Sequence, residues 1–242
     1  GFLDRDIRHA RLFDIRGTPL ASAALAGSDL AIAFVDAERL IVTGAEGVMS
    51  LTASSKKATM EKTRPDDLTG LALSPGGPFA LGWTSLGTVV ALGWDGAVRW
   101  SGSARGTRIT HGVLSPERSW IVNAAGAVAE LDPNGKLLSK STPLTAPASA
   151  AVGWGNFLAV ASGREVMVLG PGGKTLRTLK TRGGVAALIA CGDHLVVRDG
   201  EDRLTVYNLV GLVEATGGPW PGRWALTESA ELGGIVLLQA DV

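Results

Sequence analysis

Cysteine is almost absent from this chain, and the single residue, Cys191, excludes an intrachain disulfide and any thiolate cluster for a metal. Its surroundings, "ALIACGDHL", read as the end of a buried strand, where cysteine acts as a small hydrophobe. Such usage is compatible with the cytoplasm, where the chain is expected to reside. No stretch approaches the roughly 18 apolar residues of a membrane span, and no signal peptide is visible, so membrane insertion is not expected. The chain begins at Gly1 rather than methionine, which leaves processing or a larger parent open. Excess charge of either sign is missing too: 23 basic residues balance 23 acidic ones. That balance, with no basic run, speaks against a nucleic-acid partner. Helical periodicity is absent at length; "VGLVEATG" is the one tempting window, and its place in the repeat described next makes it strand.

What the chain does have is glycine, 33 residues of it, distributed with a period. The segments "ARLFDIRGTPL", "VMSLTASSKKATM", "VVALGWDGAVRW", "AVAELDPNGKLL", "EVMVLGPGGKTL" and "LTVYNLVGLVEA" each read as strand, short turn, strand. Their turns end at Gly17, Ser55, Gly96, Gly135, Gly173 and Gly211, at spacings of 38, 41, 39, 38 and 38 residues. A second hairpin precedes each of the last five, most clearly "LTGLALSPGGPFALGW" and "ITHGVLSPERSWIVNA". Four short strands in about 40 residues make the unit of a β-propeller blade.

The fold class expected is therefore all-β, a six-bladed β-propeller of four-stranded blades. Five blades span about 28–63, 64–105, 106–144, 145–181 and 182–220. The first repeat lacks an inner pair of strands and the last, 221–242, lacks an outer pair. Pairing 221–242 with 10–27 is expected to complete a composite sixth blade and remove two exposed sheet edges. Residues 1–9 fall outside the repeat and read as a tail or linker. The alternative is that the two halves belong to a larger propeller.

The framework resembles the WD-repeat superfamily, in a divergent bacterial form. "LALSPGG" and "GVLSPER" resemble the Ser-Pro-Asp-Gly element, and Phe13-Asp14, Leu131-Asp132 and Tyr207-Asn208 stand where Trp-Asp would. Trp94-Asp95 is two places late in its repeat, and no Gly-His pair precedes the inner strands. The resemblance implies a scaffold for macromolecular interaction and transfers no catalytic residues.

Candidate binding residues cluster in the loops leading into the inner strands. Arg64, Arg105 or Arg108, Arg182 and Arg223 recur near one structural position in four repeats. Turned inward, they would form a basic collar for a carboxylate or phosphate, with an acidic peptide as ligand; the competing reading is ordinary solvated loop arginines. Trp220 and Trp224 flank "PG" beside Arg223, either as interface anchors or as cover for the closing seam. Trp83, Trp94, Trp100, Trp120 and Trp154 are expected to pack between sheets. In "RDGEDR", Asp199, Glu201 and Asp202 suit a hard cation or an ordinary hairpin tip, and the hairpin tip is preferred. "GPGGKT" (170–175) imitates a phosphate loop, but its place in the repeat is an outer hairpin turn with no following helix.

His9, His111 and His194 lie in three unrelated contexts, with no partner base or nucleophile by any motif. No catalytic residue, metal site or cofactor is assigned. The expectation is a non-catalytic protein-interaction scaffold within a larger bacterial assembly. It would bind a protein or acidic peptide on the arginine-bearing face, called the top, and its oligomeric state is open. The alternatives are a lactonase- or hydrolase-type propeller enzyme, or a small-ligand sensor, with the site at the channel mouth.

Overall fold

A computed structural model describes residues 2–4, 9–13, 18–24, 31–34, 39–44, 47–52, 58–61, 68–73, 79–93, 97–103, 107–115, 117–208, 210–219, 223–229 and 234–240. Side chains are described for residues 18–19, 68–72, 80–93, 97–103, 107–115, 117–208 and 210–219. Among these the chain is all-β, with one single-turn 3-10 element at Pro171–Gly173.

Five four-stranded sheets carry the strands in chain order. The first holds β4 (Ala31–Phe34), β5 (Arg39–Gly44), β6 (Gly47–Thr52) and β7 (Ala58–Glu61). The second holds β8 (Leu68–Leu73), β9 (Phe79–Thr84), β10 (Thr88–Gly93) and β11 (Val98–Ser103). The third holds β12 (Ile109–Leu114), β13 (Ser119–Asn123), β14 (Val128–Leu131) and β15 (Leu137–Ser141). In the fourth are β16 (Ala150–Trp154), β17 (Phe157–Ser162), β18 (Glu165–Leu169) and β19 (Thr175–Lys180). The fifth comprises β20 (Val185–Cys191), β21 (His194–Asp199), β22 (Leu204–Asn208) and β23 (Val213–Gly217). Neighbours pair antiparallel, as where β21 meets β22 with His194 opposite Asn208 and Arg198 opposite Leu204.

The termini differ from the expected closure. β1 (Phe2–Asp4), β2 (His9–Phe13) and β3 (Pro19–Ala24) form a three-stranded sheet, and β24 (Arg223–Ser229) with β25 (Gly234–Ala240) a separate two-stranded one. Among the described residues no ladder joins 221–242 to 10–27. Phe2–Asp4, within the expected tail, pairs along β2 with Leu3 opposite Ala10, while β3 takes the other side of β2. β1 thus occupies the edge that β25 would have used.

The contacts divide the chain into two compact units, Gly1–Ile121 with Leu131–Leu137, and Val122–Glu130 with Leu138–Val242. In the first unit β4 lies against β8 and β8 against β12; in the second, β16 lies against β20 and β20 against β24. Within each unit, first strands of successive sheets are therefore neighbours, consistent with a propeller-like arrangement.

Burial follows strand position. The second and third strands are apolar on both faces: β17 (FLAVAS) and β18 (EVMVL) are buried almost throughout, because a further sheet covers each side. The fourth strands are largely exposed, as in β15 (LLSKS) and β23 (VEATG), where even Leu137, Leu138 and Val213 face solvent. One core, in the first unit, gathers Leu81, Trp83, Ala91, Ile109, Ile121 and Leu131. Another, in the second, gathers Trp154, Val166, Val168, Leu179, Leu195, Val197 and Tyr207. Trp120 and Trp154 are fully buried, and Trp83 lies on Gly112 of the next sheet, where an added β-carbon would stand 2.5 Å from the indole. These three indoles therefore pack within and between sheets as expected, whereas Trp94 lies outside the described residues. "VGLVEATG" is strand over Val213–Gly217, and Cys191 is buried at the end of β20.

The periodic glycines make a second, outer set of contacts. Gly135, Gly173 and Gly211 have φ of +81°, +70° and +75°, a left-handed conformation that costs other residues about 1–2 kcal/mol. Each also sits where the last strand of the preceding sheet comes close. Trp100 of β11 covers Gly135, and its indole N–H donates to Pro133 O at 2.9 Å. Ser141 of β15 covers Gly173, and Arg177 of β19 covers Gly211. Between the third and fourth sheets a buried carboxylate adds to this: Glu130 accepts the Gly172 N–H at 2.8 Å and the Ser139 hydroxyl at 2.9 Å.

Gly135→Ala must lose both the backbone conformation and the Trp100 contact, an expected cost of roughly 2–3 kcal/mol. Gly155→Ala, with φ of +57° and open space around it, should cost about 1–2 kcal/mol from the backbone alone. Urea titrations of both variants check this; equal losses would show that the Trp100 contact contributes nothing.

Candidate functional site

The segment between β19 and β20, Thr181–Gly184, is fastened on both sides by backbone hydrogen bonds. Thr181 N–H donates to Arg164 O at 2.9 Å and Val185 N–H to Gly163 O at 2.9 Å, both on the β17–β18 turn. On the other side Gly200 N–H, in the β21–β22 turn, donates to Gly184 O at 2.7 Å. In the second unit, the loop leading into a first strand and the loop joining second and third strands therefore share one edge of the sheets.

The β21–β22 turn is built by Asp199, which is 6% exposed. Its Oδ1 accepts the N–H groups of Glu201 at 2.9 Å and Arg203 at 3.0 Å. An aspartate that satisfies the backbone two and four residues on is a turn former, and it lets Asp202 adopt a φ of +58°. The remaining charges of "RDGEDR" pair within the turn: Arg203 Nη1 lies 3.1 Å from Glu201 Oε2 and Arg198 Nη1 3.7 Å from Asp202 Oδ1. The three carboxylates of this segment thus serve the hairpin tip itself.

Beside this edge lies a cavity of about 580 Å³, between the fourth and fifth sheets. Three cations stand on it: Lys180 at the end of β19, Arg182 in the fastened segment, and Arg203. Its apolar wall comes from Val197, Leu204, Tyr207 and Val213, and its hydroxyls from Thr181, Thr205 and Thr216. The pleat explains the convergence, since Val197 and Asp199 of β21 and Thr205 and Tyr207 of β22 project on the same face as the residues paired beside them. Asp199 is the one carboxylate among the described lining residues, and its Oδ1 is engaged as above. Among the described residues no ion pair engages Lys180 or Arg182, and both are exposed. The chemistry available is two cations with no ion pair among the described residues beside a partly buried apolar wall, suited to an anion that carries a hydrophobic group.

Tyr207 stands on the cavity wall. It is 6% exposed, with its hydroxyl 3.4 Å from Lys180 O, and burial pushes the phenol above its usual pKa of about 10.

Of the residues expected to bind, Arg182 lies in this cavity, and Arg108 is exposed just before β12. Arg223 begins β24 and Trp224 follows it, with their side chains outside the described set. Arg64, Arg105 and Trp220 lie outside the described residues, although Trp220 follows Pro219, which lines the cavity. Lys180, Arg203 and Tyr207 were not expected there. Lys180 and Arg182 are two residues apart, and the 195/197/199 and 205/207 alternation is readable, but nothing in the sequence says that the neighbouring sheet leaves space at that point. Of the histidines, His194 and His111 have local partners, and the side chain of His9 lies outside the described set. His194 Nε2 lies 2.8 Å from Glu214 Oε2, whose other oxygen accepts from Asn208 Nδ2 at 3.0 Å. His111 Nδ1 is 3.1 Å from the Thr110 hydroxyl. "GPGGKT" forms the single-turn element between β18 and β19, an outer hairpin turn.

Tyr207 is the only tyrosine in the chain, so its ionisation can be followed directly. Because its folded pKa lies above that of the unfolded chain, the unfolded phenol ionises first. Its contribution to stability is complete below about pH 10 and falls as pH rises from there through the folded pKa. Tyrosinate absorbance at 295 nm should appear later in the native protein than in 8 M urea, and Tyr207→Phe should remove that part of the alkaline destabilisation. Coincident titration curves would contradict the buried environment.

No family model matches the chain, and no curated protein sequence does. In structure the chain is similar to Ika8, a computationally designed protein known from a crystal structure, with a TM-score of 0.75 and 16% identity. The similarity covers 95% of this chain and 77% of the designed one. At that identity the likeness establishes the fold alone, and a fold by itself carries no activity.

Proposed function

We propose that this chain is a non-catalytic interaction module, a scaffold within a larger bacterial assembly that takes an acidic segment of a protein partner on its top face. In this reading the module is a six-bladed propeller of the WD-repeat type. The five four-stranded sheets are five blades, and β2–β3 with β24–β25 supply the sixth when β25 replaces β1 along β2. The regular period and the contact between successive first strands support that architecture.

The observation that carries the function is the cavity at Arg182. Lys180 and Arg182 stand exposed and without a described ion pair beside a wall of Val197, Leu204 and Tyr207. Cations left unmatched next to desolvated apolar surface favour a charged partner over solvent. The size of the cavity also lies in the range of small-molecule sites, so a small carboxylate is the second reading.

Affinity purification from the native host, with mass spectrometry of copurifying protein, gives the partner. Lys180→Glu with Arg182→Glu should then cut capture at least tenfold and shift the melting temperature by no more than about 1–2 °C, since both side chains are exposed. Lys136→Glu, at an exposed outer turn away from the cavity lining, serves as the control. Undiminished capture by the double variant overturns the assignment of the face.

A further inference from the structure

The arrangement of charge and apolar surface in the cavity narrows the ligand further, and this step rests on the interaction-module reading. We infer that the recognised element is a side-chain carboxylate adjacent to an aliphatic or aromatic side chain within an extended segment of the partner. The carboxylate is held by Lys180 and Arg182, and its apolar neighbour enters the cavity against Val197, Tyr207 and Val213.

The geometry divides the cavity into two zones. Its cations are peripheral: Lys180 and Arg182 are exposed, and Arg203 is already drawn to Glu201 at 3.1 Å. Of its apolar residues Val197 is 2% exposed and Tyr207 6%, whereas Val213 is exposed at the outer strand. A purely acidic ligand would meet only the rim, where ion pairs in water contribute little. A purely apolar one would leave Lys180 and Arg182 unmatched and gain no orientation. A ligand with both groups on adjacent or alternate residues satisfies both zones, because the apolar burial supplies affinity and the ion pair fixes register. Asp199, 6% exposed, is a carboxylate on the cavity wall close to Gly183, so the ion pair at Lys180 and Arg182 alone discriminates little and the apolar neighbour is needed for selectivity.

The occupant is a segment of a protein rather than a free acid for a reason of geometry. β23 is the last strand of its sheet, its residues Val213–Thr216 are exposed, and Val213 and Thr216 line the cavity. The unpaired edge of β23 therefore runs alongside the cavity, and an extended segment lying on that edge places alternate side chains toward it.

Fluorescence anisotropy with three synthetic eight-residue peptides tests this, using the full chain. One alternates Glu and Leu, one alternates Glu and Ser, and one alternates Gln and Leu. The Glu/Leu peptide should bind at least tenfold more tightly than either of the others. Thr216→Trp, which fills the cavity without changing charge, and Lys180→Gln with Arg182→Gln, which removes charge at exposed positions, should each weaken it about tenfold. Equal binding of the Glu/Ser peptide, or full binding by a folded Thr216→Trp protein, reduces the effect to surface charge. That result overturns this inference but leaves the interaction-module reading, which stands or falls on partner capture by Lys180→Glu with Arg182→Glu. Displacement of the Glu/Leu peptide by equimolar 4-methylpentanoate overturns the peptide segment in favour of a free acid. Failure of all three peptides overturns the inference as well.

Discussion

The spacing between neighbouring sheets is the constraint on which the rest of the structure depends. It is set at the outer rim, where the last strand of one sheet rests on the turn that opens the last strand of the next. Trp100 on Gly135, Ser141 on Gly173 and Arg177 on Gly211 are three versions of that contact. The partner side chain differs each time, but the turn does not, because only glycine combines a φ near +75° with the absence of a β-carbon at the point of approach. The apolar cores between sheets are non-directional and would tolerate sliding. The Trp100 N–H bond to Pro133 O and the Gly172 N–H bond to Glu130 are directional, and they favour one separation of the sheets they join.

Where sheets are pinned at the rim and again at the opposite edge, the space between them is fixed rather than collapsible. Between the fourth and fifth sheets the rim pin is Arg177 on Gly211, and the other edge is fastened by Gly200 to Gly184 and Val185 to Gly163. The cavity at Lys180, Arg182 and Tyr207 lies between these fixed points. A protein with no net charge can therefore still carry a local charge imbalance in a defined place. Its global neutrality describes the sum over the surface, whereas Lys180 and Arg182 stand together on one cavity with no ion pair among the described residues.

The repeat made much of this legible in the sequence. The turn glycines, the four-strand unit, the buried position of Cys191 and the outer-turn position of "GPGGKT" all follow from local alternation and from turn chemistry that depends on a few residues. The terminal sheets were less legible, because Phe2–Asp4 is too short to show a period and yet pairs along β2. Glu130 was not legible at all. It sits in a strand that alternates correctly, and its burial depends on the Gly172 N–H of a turn forty-two residues later. The candidate site was half legible for the same reason. Arg182 belongs to a local pattern of loop arginines, but Tyr207 and Lys180 become its neighbours only through the distance between two sheets.

The site also shows how a repeated framework acquires a particular surface without departing from its own rules. Asn123, Asp132, Asp199 and Asn208 each end or follow a strand and accept backbone N–H groups of the following turn through Oδ1. At Asp132 the device does no more than shape the hairpin that Trp100 covers. At Asp199 the same device shapes a turn that carries Arg203 beside the cavity, brings Gly200 against Gly184, and leaves a buried carboxylate on the cavity wall. The turn chemistry is conserved within the chain because the hairpin requires it, and the residues between the fixed positions are free to vary. Specific recognition on such a scaffold is therefore expected from what the turns carry and from the gaps that the sheet spacing leaves, not from the strands themselves.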